Sequence, residues 1–394
     1  MQKKCVAVGV SSSVAAFKAV QLVSDLVKLN YDVEVIMTKN ATEFITPLQF
    51  SSLTKHKTCV DTFERVAVYD VEHISIAKKA DVFILAPASA NLIAKVVHGI
   101  ADDMLTTTFL AATCPKIIAP AMNTDMYNNP ITRDNLDKAR KYGMHIVEPQ
   151  QGLLACGDVG VGKLADIKTM IAAIEMALED NKILKGKKVL VSAGPTQEAI
   201  DPVRYISNHS SGKMGYEIAK AAFNMGAEVT LVSGVTSLDK PYGVNVIDIK
   251  SASDMFEVIK DLYQDMDYVI KAAAVADFRP VNVASNKLKK QGKEHMQIEL
   301  EANQDILKYL GEHKTHQKLC GFAMETENVK ENARAKFEKK NCDLLVVNDL
   351  FTKGAGFKGD TNVVSIFSKD KVEDLELMSK KELAKVILER LVEA

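Results

Sequence analysis

KKVLVSAGPT, residues 187–196, decides how this chain of 394 residues is built. A short β-branched run that ends in a glycine-containing turn opens a βαβ unit, because a parallel strand is covered on both faces and reads as continuous apolar sequence. The same grammar already stands at the start of the chain, in CVAVGVSSSVAAFK, residues 5–18. A second opening strand halfway along means a second sheet. Two units are expected, 1–186 and 187–394, with the polar connector NKILKGKK (181–188) between them.

Outward from residue 187, further strands read EVTLVSG (228–234), DYVIKAAAVAD (267–277), LCGFAMET (319–326) and DLLVVND (343–349). A helix is expected over Met214 to Met225. In the first half the strands read DVEVIM (32–37), DVFILAP (81–87), KIIAP (116–120) and HIVEP (145–149). Helical spacing covers Val14 to Leu29, Ile131 to Tyr142 and Lys168 to Asn181. Strands alternating with helices specify an α/β class with two doubly wound domains. Such sheets bind ligands outside the carboxyl ends of their strands, so the turns after each strand are where chemistry belongs.

Composition narrows the function classes. The net charge of -1 gives no global basicity for nucleic acid or anionic membrane. No run approaches the ~18 apolar residues of a membrane span, and the N-terminal apolar run is too short for a signal peptide. The six cysteines are scattered without a CxxC pair, the pattern of reduced, mostly buried thiols in a cytoplasmic protein.

Four turns of the first half carry candidate chemistry. GVSSSVAAFK (9–18) is a small-residue turn opening a helix, able to offer N–H groups and hydroxyls to a phosphate, but it is not GxGxxG. PASANLIAK (87–95) places Ser89 and Asn91 at a strand end, and PAMNTDMYNNP (120–130) places Asn123 at another. GLLACGDVGVG (152–162) sets Cys156 among four glycines, the composition of a mobile flap. His73 opens a helical stretch, where an ordinary cap is the commoner role.

In the second half, SSGKMG (210–215) fails the P-loop spacing GxxxxGK[ST], since Met214 follows Lys213. Asn208, Ser210, Ser211 and Gly212 instead form an anion-friendly turn before a helix. Asp277 ends the strand at 267, Lys287 lies on a loop beyond it, and Lys336 and Lys340 share a helix face at i, i+4. A solvated face is the default for that pair.

His73, PASAN, PAMNxxM and LACGxxGxG, taken in order over about residues 3–175, resemble the flavin-containing cysteine decarboxylases. SNHSSGKMG and AAAVADFRP, within 187–390, resemble phosphopantothenate–cysteine ligase. The whole chain therefore resembles the bacterial bifunctional enzymes of coenzyme A synthesis. That resemblance implies a flavodoxin-like flavoprotein domain followed by a Rossmann-like ligase domain. It implies FMN held by Ser11, Thr38, Ser89 and Asn91, with His73 as base, Asn123 holding the substrate carboxylate and Cys156 as proton donor. It also implies CTP as co-substrate with Mg²⁺, bound by Ala272, Ala273, Ala274, Asp277, Lys287, Phe322, Lys336 and Lys340, and Asn208 polarising an acyl cytidylate. The implied partners are 4′-phosphopantothenate, cysteine and further copies of the chain, up to a dodecamer of trimers joined through dimers, with no nucleic acid and no membrane.

The chain departs from its relatives at Ser12 and Ser13, where glycines are usual. Gln304 replaces a proline, the second flap reads GFKGD, and Lys271 stands where an apolar residue is common. Two rival readings are a flavin prenyltransferase-like half fused to an inactive half, and a non-enzymatic flavin- or nucleotide-binding regulator.

Overall fold

The computed structural model describes residues 3–63, 71–155, 157–289, 295–325, 329–349 and 359–394. It divides into Met1–Asp180 and Asn181–Ala394.

In the first unit five parallel strands form one sheet: β1 (Cys5–Val10), β2 (Asp32–Met37), β3 (Val82–Ala88), β4 (Lys116–Pro120) and β5 (His145–Ile146). Their order is β2-β1-β3-β4-β5, the flavodoxin-like order. β1 is buried at every position, which is why it reads as an unbroken apolar run. Helices cover the faces: α1 (Ala16–Lys28), α2 (Pro47–Thr54), α3 (Glu72–Lys79), α4 (Ala90–Val97), α5 (Met104–Ala111), α6 (Thr124–Asn128), α7 (Pro130–Lys141) and α8 (Ile167–Leu178). One core cluster packs Phe83, Leu85 and Ile118 of the sheet against Leu92, Leu105, Phe109 and Leu136 of the helices. The stretch expected as a flap is ordered as a hairpin, β6 (Gln150–Leu153) with β7 (Val159–Lys163). The expected last strand, 145–149, shrinks to two residues.

In the second unit the sheet combines β8 (Lys188–Ala193), β11 (Glu228–Ser233), β12 (Asn245–Asp248), β13 (Tyr268–Lys271), β16 (Lys318–Glu325) and β17 (Leu344–Asp349). The order β12-β11-β8-β13-β16-β17 is that of a Rossmann sheet. Two antiparallel strands that sequence reading missed, β19 (Val364–Phe367) and β20 (Val372–Asp374), extend it at β17. Small ribbons pair β9 (Gln197–Ala199) with β10 (Tyr205–Ser207), β14 (Phe278–Pro280) with β15 (Leu300–Ala302), and β18 (Thr361–Asn362) with β21 (Met378–Ser379). The helices are α9 (Lys213–Asn224), α10 (Ala252–Tyr263), α11 (Ile306–Glu312), α12 (Val329–Lys339) and α13 (Lys380–Glu393). α9 and α13 cover one face of the sheet, and α10, α11 and α12 the other.

Two expectations change here. The strand expected to run from 267 to Asp277 stops at Lys271, so Asp277 lies on a loop. Beyond Lys271 the Ala274 and Ala276 N–H groups bond to Gly194 and Thr196, in the turn after β8. The connector 181–188 is only partly polar, since Leu184 is fully buried in the second core.

Candidate functional sites

Each sheet has a point where strand order reverses, and each such point is occupied by predicted site residues. In the first unit it falls between β1 and β3. Ser11 is buried there, its hydroxyl donating to the Pro87 carbonyl at 2.8 Å and accepting the Ser89 N–H at 2.9 Å. Its hydroxyl proton is thus used in joining the two strand ends. Ser89 caps α4 by accepting from the Leu92 N–H at 3.3 Å, and the exposed Asn91 follows in the first turn, where helix N–H groups lack intrahelical partners. At the end of β2 the Thr38 N–H donates to Val10, while its hydroxyl oxygen is enclosed and, among the described residues, has no partner. A buried hydroxyl without a partner is costly, so a ligand group that bonds to it has a ready place.

The hairpin meets the Asn123 loop through two glycines. A Cβ on Gly162 would lie 2.2 Å from the Met122 carbonyl oxygen, and one on Gly160 would lie 2.3 Å from the Thr124 hydroxyl. That close approach lets the Met122 N–H donate to Gly162 at 3.0 Å and the Asn123 amide reach the Asp158 carboxylate at 3.4 Å. Asn123 also caps α6, accepting the Asp125 N–H at 2.8 Å. Cys156 lies outside the described residues, but Leu154 and Asp158 on either side are bonded at 2.8 Å. The glycines therefore do structural work at β7 besides loosening a loop. His73 is half-buried in the first turn of α3, which packs on α5, and among the described residues no hydrogen bond ties it to the other groups.

Five cysteines are described, all reduced and none fully exposed. Burial pushes the Cys5, Cys59 and Cys342 thiols up to about 12 and raises Cys114 and Cys320 as well. None of the five favours a thiolate.

In the second unit the reversal falls between β8 and β13. The Ala272 and Ala274 N–H groups donate to Ser192 and Gly194 at 3.1 and 2.9 Å, and the Ala276 N–H to the Thr196 hydroxyl at 3.0 Å. GPT and AAAVAD thus form one wall. The Asn208 amide donates across it to the carbonyls of Val275 and Ala274, at 3.1 and 3.4 Å. Gly212 has φ 76°, and a Cβ added there would lie 3.3 Å from the Gly194 backbone, so the turn before α9 packs closely on it. Phe322 is half-buried on β16 beside β13.

Lys340 is buried and paired with Asp305, the cap of α11, so the default of a solvated face fails for it. Lys336 is half-buried on α12. Lys287 is exposed, but its loop is anchored by groups that sequence reading missed. The buried Asp201 carboxylate accepts from the Leu288 N–H at 3.2 Å and from Arg204, which in turn donates to the Leu288 carbonyl at 2.7 Å. Burial opposes ionisation of Asp201, but Arg204 and three backbone N–H groups outweigh it and hold the carboxyl well below the usual range. Asn303 was also missed as a contact. It donates to the Ala276 carbonyl at 2.9 Å while its own oxygen is enclosed and, among the described residues, without a partner, an acceptor beside Asp277.

Among the described residues, one carboxylate–histidine group stands close enough to share a cation: Asp32, Glu34 and His56. It lies at the start of β2, away from the ligand end of the sheet, and Lys79 already bridges both carboxylates. It is an ion-pair network. No described helix is long and apolar enough to cross a membrane.

Residues 1–179 match the family described as Flavoprotein, and residues 184–394 match the DNA/pantothenate metabolism flavoprotein C-terminal domain. The class is thus a flavoprotein unit joined to a pantothenate-metabolism unit. The coenzyme A biosynthesis bifunctional protein CoaBC of Bacillus subtilis is 47% identical over 386 residues, 97% of this chain and 95% of that one. The Escherichia coli protein of the same name is 40% identical over 392 residues, 99% and 97% of the two chains. A solved C-terminal domain of a CoaBC protein is 46% identical, with a TM-score of 0.47, covering 54% of this chain and 97% of its own. The chain belongs to the CoaBC family of bifunctional coenzyme A biosynthesis enzymes.

Proposed function

We propose that residues 187–394 join 4′-phosphopantothenate to cysteine at the expense of CTP, and that residues 1–186 decarboxylate the product to 4′-phosphopantetheine. The observation that supports this reading is that Ser11, Ser89 and Asn91 gather at one sheet reversal point, and Ala272 to Ala274 with Asn208 at the other. The Asn303 oxygen and the Thr38 hydroxyl, both without a partner among the described residues, suit ligands with polar groups to offer.

In the ligase step, the substrate carboxylate attacks the α-phosphorus of CTP, and pyrophosphate leaves. The cysteine amine then attacks the acyl cytidylate, and CMP leaves. Asn208 is poised on the wall to stabilise negative charge developing on the acyl oxygen. Lys287, Lys336 and Lys340 face the phosphates as point charges, and Asp277, Phe322 and Ala272 to Ala274 frame the nucleotide. Mg²⁺ neutralises part of the triphosphate charge.

In the second step FMN supplies, when bound, the two-electron oxidation and return reduction that let the carboxylate leave. Ser11, Thr38, Ser89 and Asn91 hold it. His73 removes a proton from the substrate, Asn123 orients the departing carboxylate, and Cys156 returns a proton. Exposed Val203, Tyr205, Phe278 and Leu300 on the second unit's ribbons favour pairing with another copy, in a cytoplasmic homo-oligomer.

A mass-spectrometric assay tests the whole. Chain given 4′-phosphopantothenate, cysteine, Mg²⁺ and CTP should form 4′-phosphopantetheine and CMP. Accumulation of 4′-phosphopantothenoylcysteine alone would refute the decarboxylase half. No product with CTP or ATP would refute both halves and favour a binding protein.

Thr38→Val offers a sharper check of the flavin pocket. The flavin-free variant should be more stable, by about 1–2 kcal/mol, because an unsatisfied buried hydroxyl is gone. Its FMN affinity should fall about tenfold, read by fluorescence quenching. Unchanged affinity would remove Thr38 from the flavin site.

A further inference from the structure

We propose that Lys271 is a further nucleotide-binding residue of the second unit, one that takes up a proton as the anionic nucleotide enters. The inference rests on the ligase reading above and deepens it. Lys271 ends β13 in register with Ser192 of β8 and Gly321 of β16, so it occupies the centre of the sheet's ligand end. Its side chain is half-buried, and Nζ donates to the Ala273 carbonyl at 3.2 Å, inside the segment that walls the site. An ammonium can donate three hydrogen bonds, and among the described residues one acceptor is in place.

The surrounding charges come from three directions. Asp305 at the start of α11 and Asp277 on the following loop favour the ammonium, while Lys336 on α12 and Lys340 beyond it oppose it. Asp305 is already committed to Lys340. Burial is the largest influence on Lys271 and lowers its pKa to about 8. Near that pH the empty site holds this proton about half the time. A triphosphate adds negative charge beside it and restores ordinary lysine basicity, which draws the proton in.

Calorimetric titration of the full-length chain with CTP, in buffers of differing ionisation heat, reads that proton directly. At about pH 8, uptake of about half a proton per CTP is expected, and between about pH 7 and pH 9 affinity should fall about tenfold. In Lys271→Met the uptake should vanish and affinity at about pH 7 should drop about tenfold. Lys271→Arg, permanently charged, should retain tight binding at about pH 9. The folded chain binds this proton less tightly than the unfolded chain. Lys271 therefore costs stability below about pH 8, and that cost disappears as pH rises toward the ordinary value of 10.5. Lys271→Met should accordingly melt higher at neutral pH, which a purely structural lysine would also show, whereas ligand-linked proton uptake is specific to the proposal. CTP binding without proton uptake, or with equal uptake in Lys271→Met, would overturn it and leave the ligase site standing. Failure of the unsubstituted chain to bind CTP would overturn both.

Discussion

Gly162→Ala should cut decarboxylation by about a hundredfold while leaving ligation unchanged. The added Cβ would stand 2.2 Å from the Met122 carbonyl oxygen, a distance no real contact tolerates, and the obstacle is backbone that cannot rotate away. Gly162 also has φ 145°, a conformation side chains rarely adopt. The hairpin would lift from the Asn123 loop, breaking the Met122–Gly162 bond and moving the tip between Leu154 and Asp158. A displacement of about 1 Å between reacting groups is enough for about a hundredfold loss. Ser11, Thr38 and Ser89 sit at the ends of β1, β2 and β3, so flavin content should hold. Gly152→Ala is the control, because its nearest neighbour is the flexible Lys163 side chain at 3.6 Å. Equal decarboxylation by Gly162→Ala and the unsubstituted chain would mean that the hairpin does not position the chemistry.

Asn208→Ala should slow ligation by about 10²–10³-fold, the usual loss when one preorganised donor to developing negative charge is removed. The fold should hardly notice. Asn208 is exposed, and exposed substitutions usually change stability by less than about 0.5 kcal/mol. Asn208→Asp should be no better, since a carboxylate would face the Ala274 and Val275 carbonyl oxygens that now accept from the amide. The readouts are CMP release and a melting curve for each variant. Ligation within a few-fold of normal in Asn208→Ala would remove Asn208 from the reaction. A large fall in melting temperature would mean that its role is to hold the wall together.

Much of this was legible in the sequence because burial dictates composition. A parallel strand covered on both faces must be apolar throughout, so β1, β8 and β17 are visible as runs in the chain. The turns that follow them are visible as glycine, serine and proline. β19 and β20 escaped notice because they are short, four and three residues, and because β20 lies at the sheet edge with no buried position. The flap became a hairpin for a related reason. Its four glycines read as freedom, yet Gly160 and Gly162 are small because α6 and its preceding loop press against them.

By itself the sequence determined that there are two α/β units and where the turns after their strands fall. It did so because strand burial and turn geometry leave local marks on residue choice. Only the tertiary structure decided which distant residues come together: Ser11 with Ser89, Asn208 with Ala274, Asp201 with the Lys287 loop, Lys271 with Lys340. Those pairings depend on strand order and crossovers, and a hydrogen bond or buried charge between residues about eighty positions apart leaves no periodic trace along the chain.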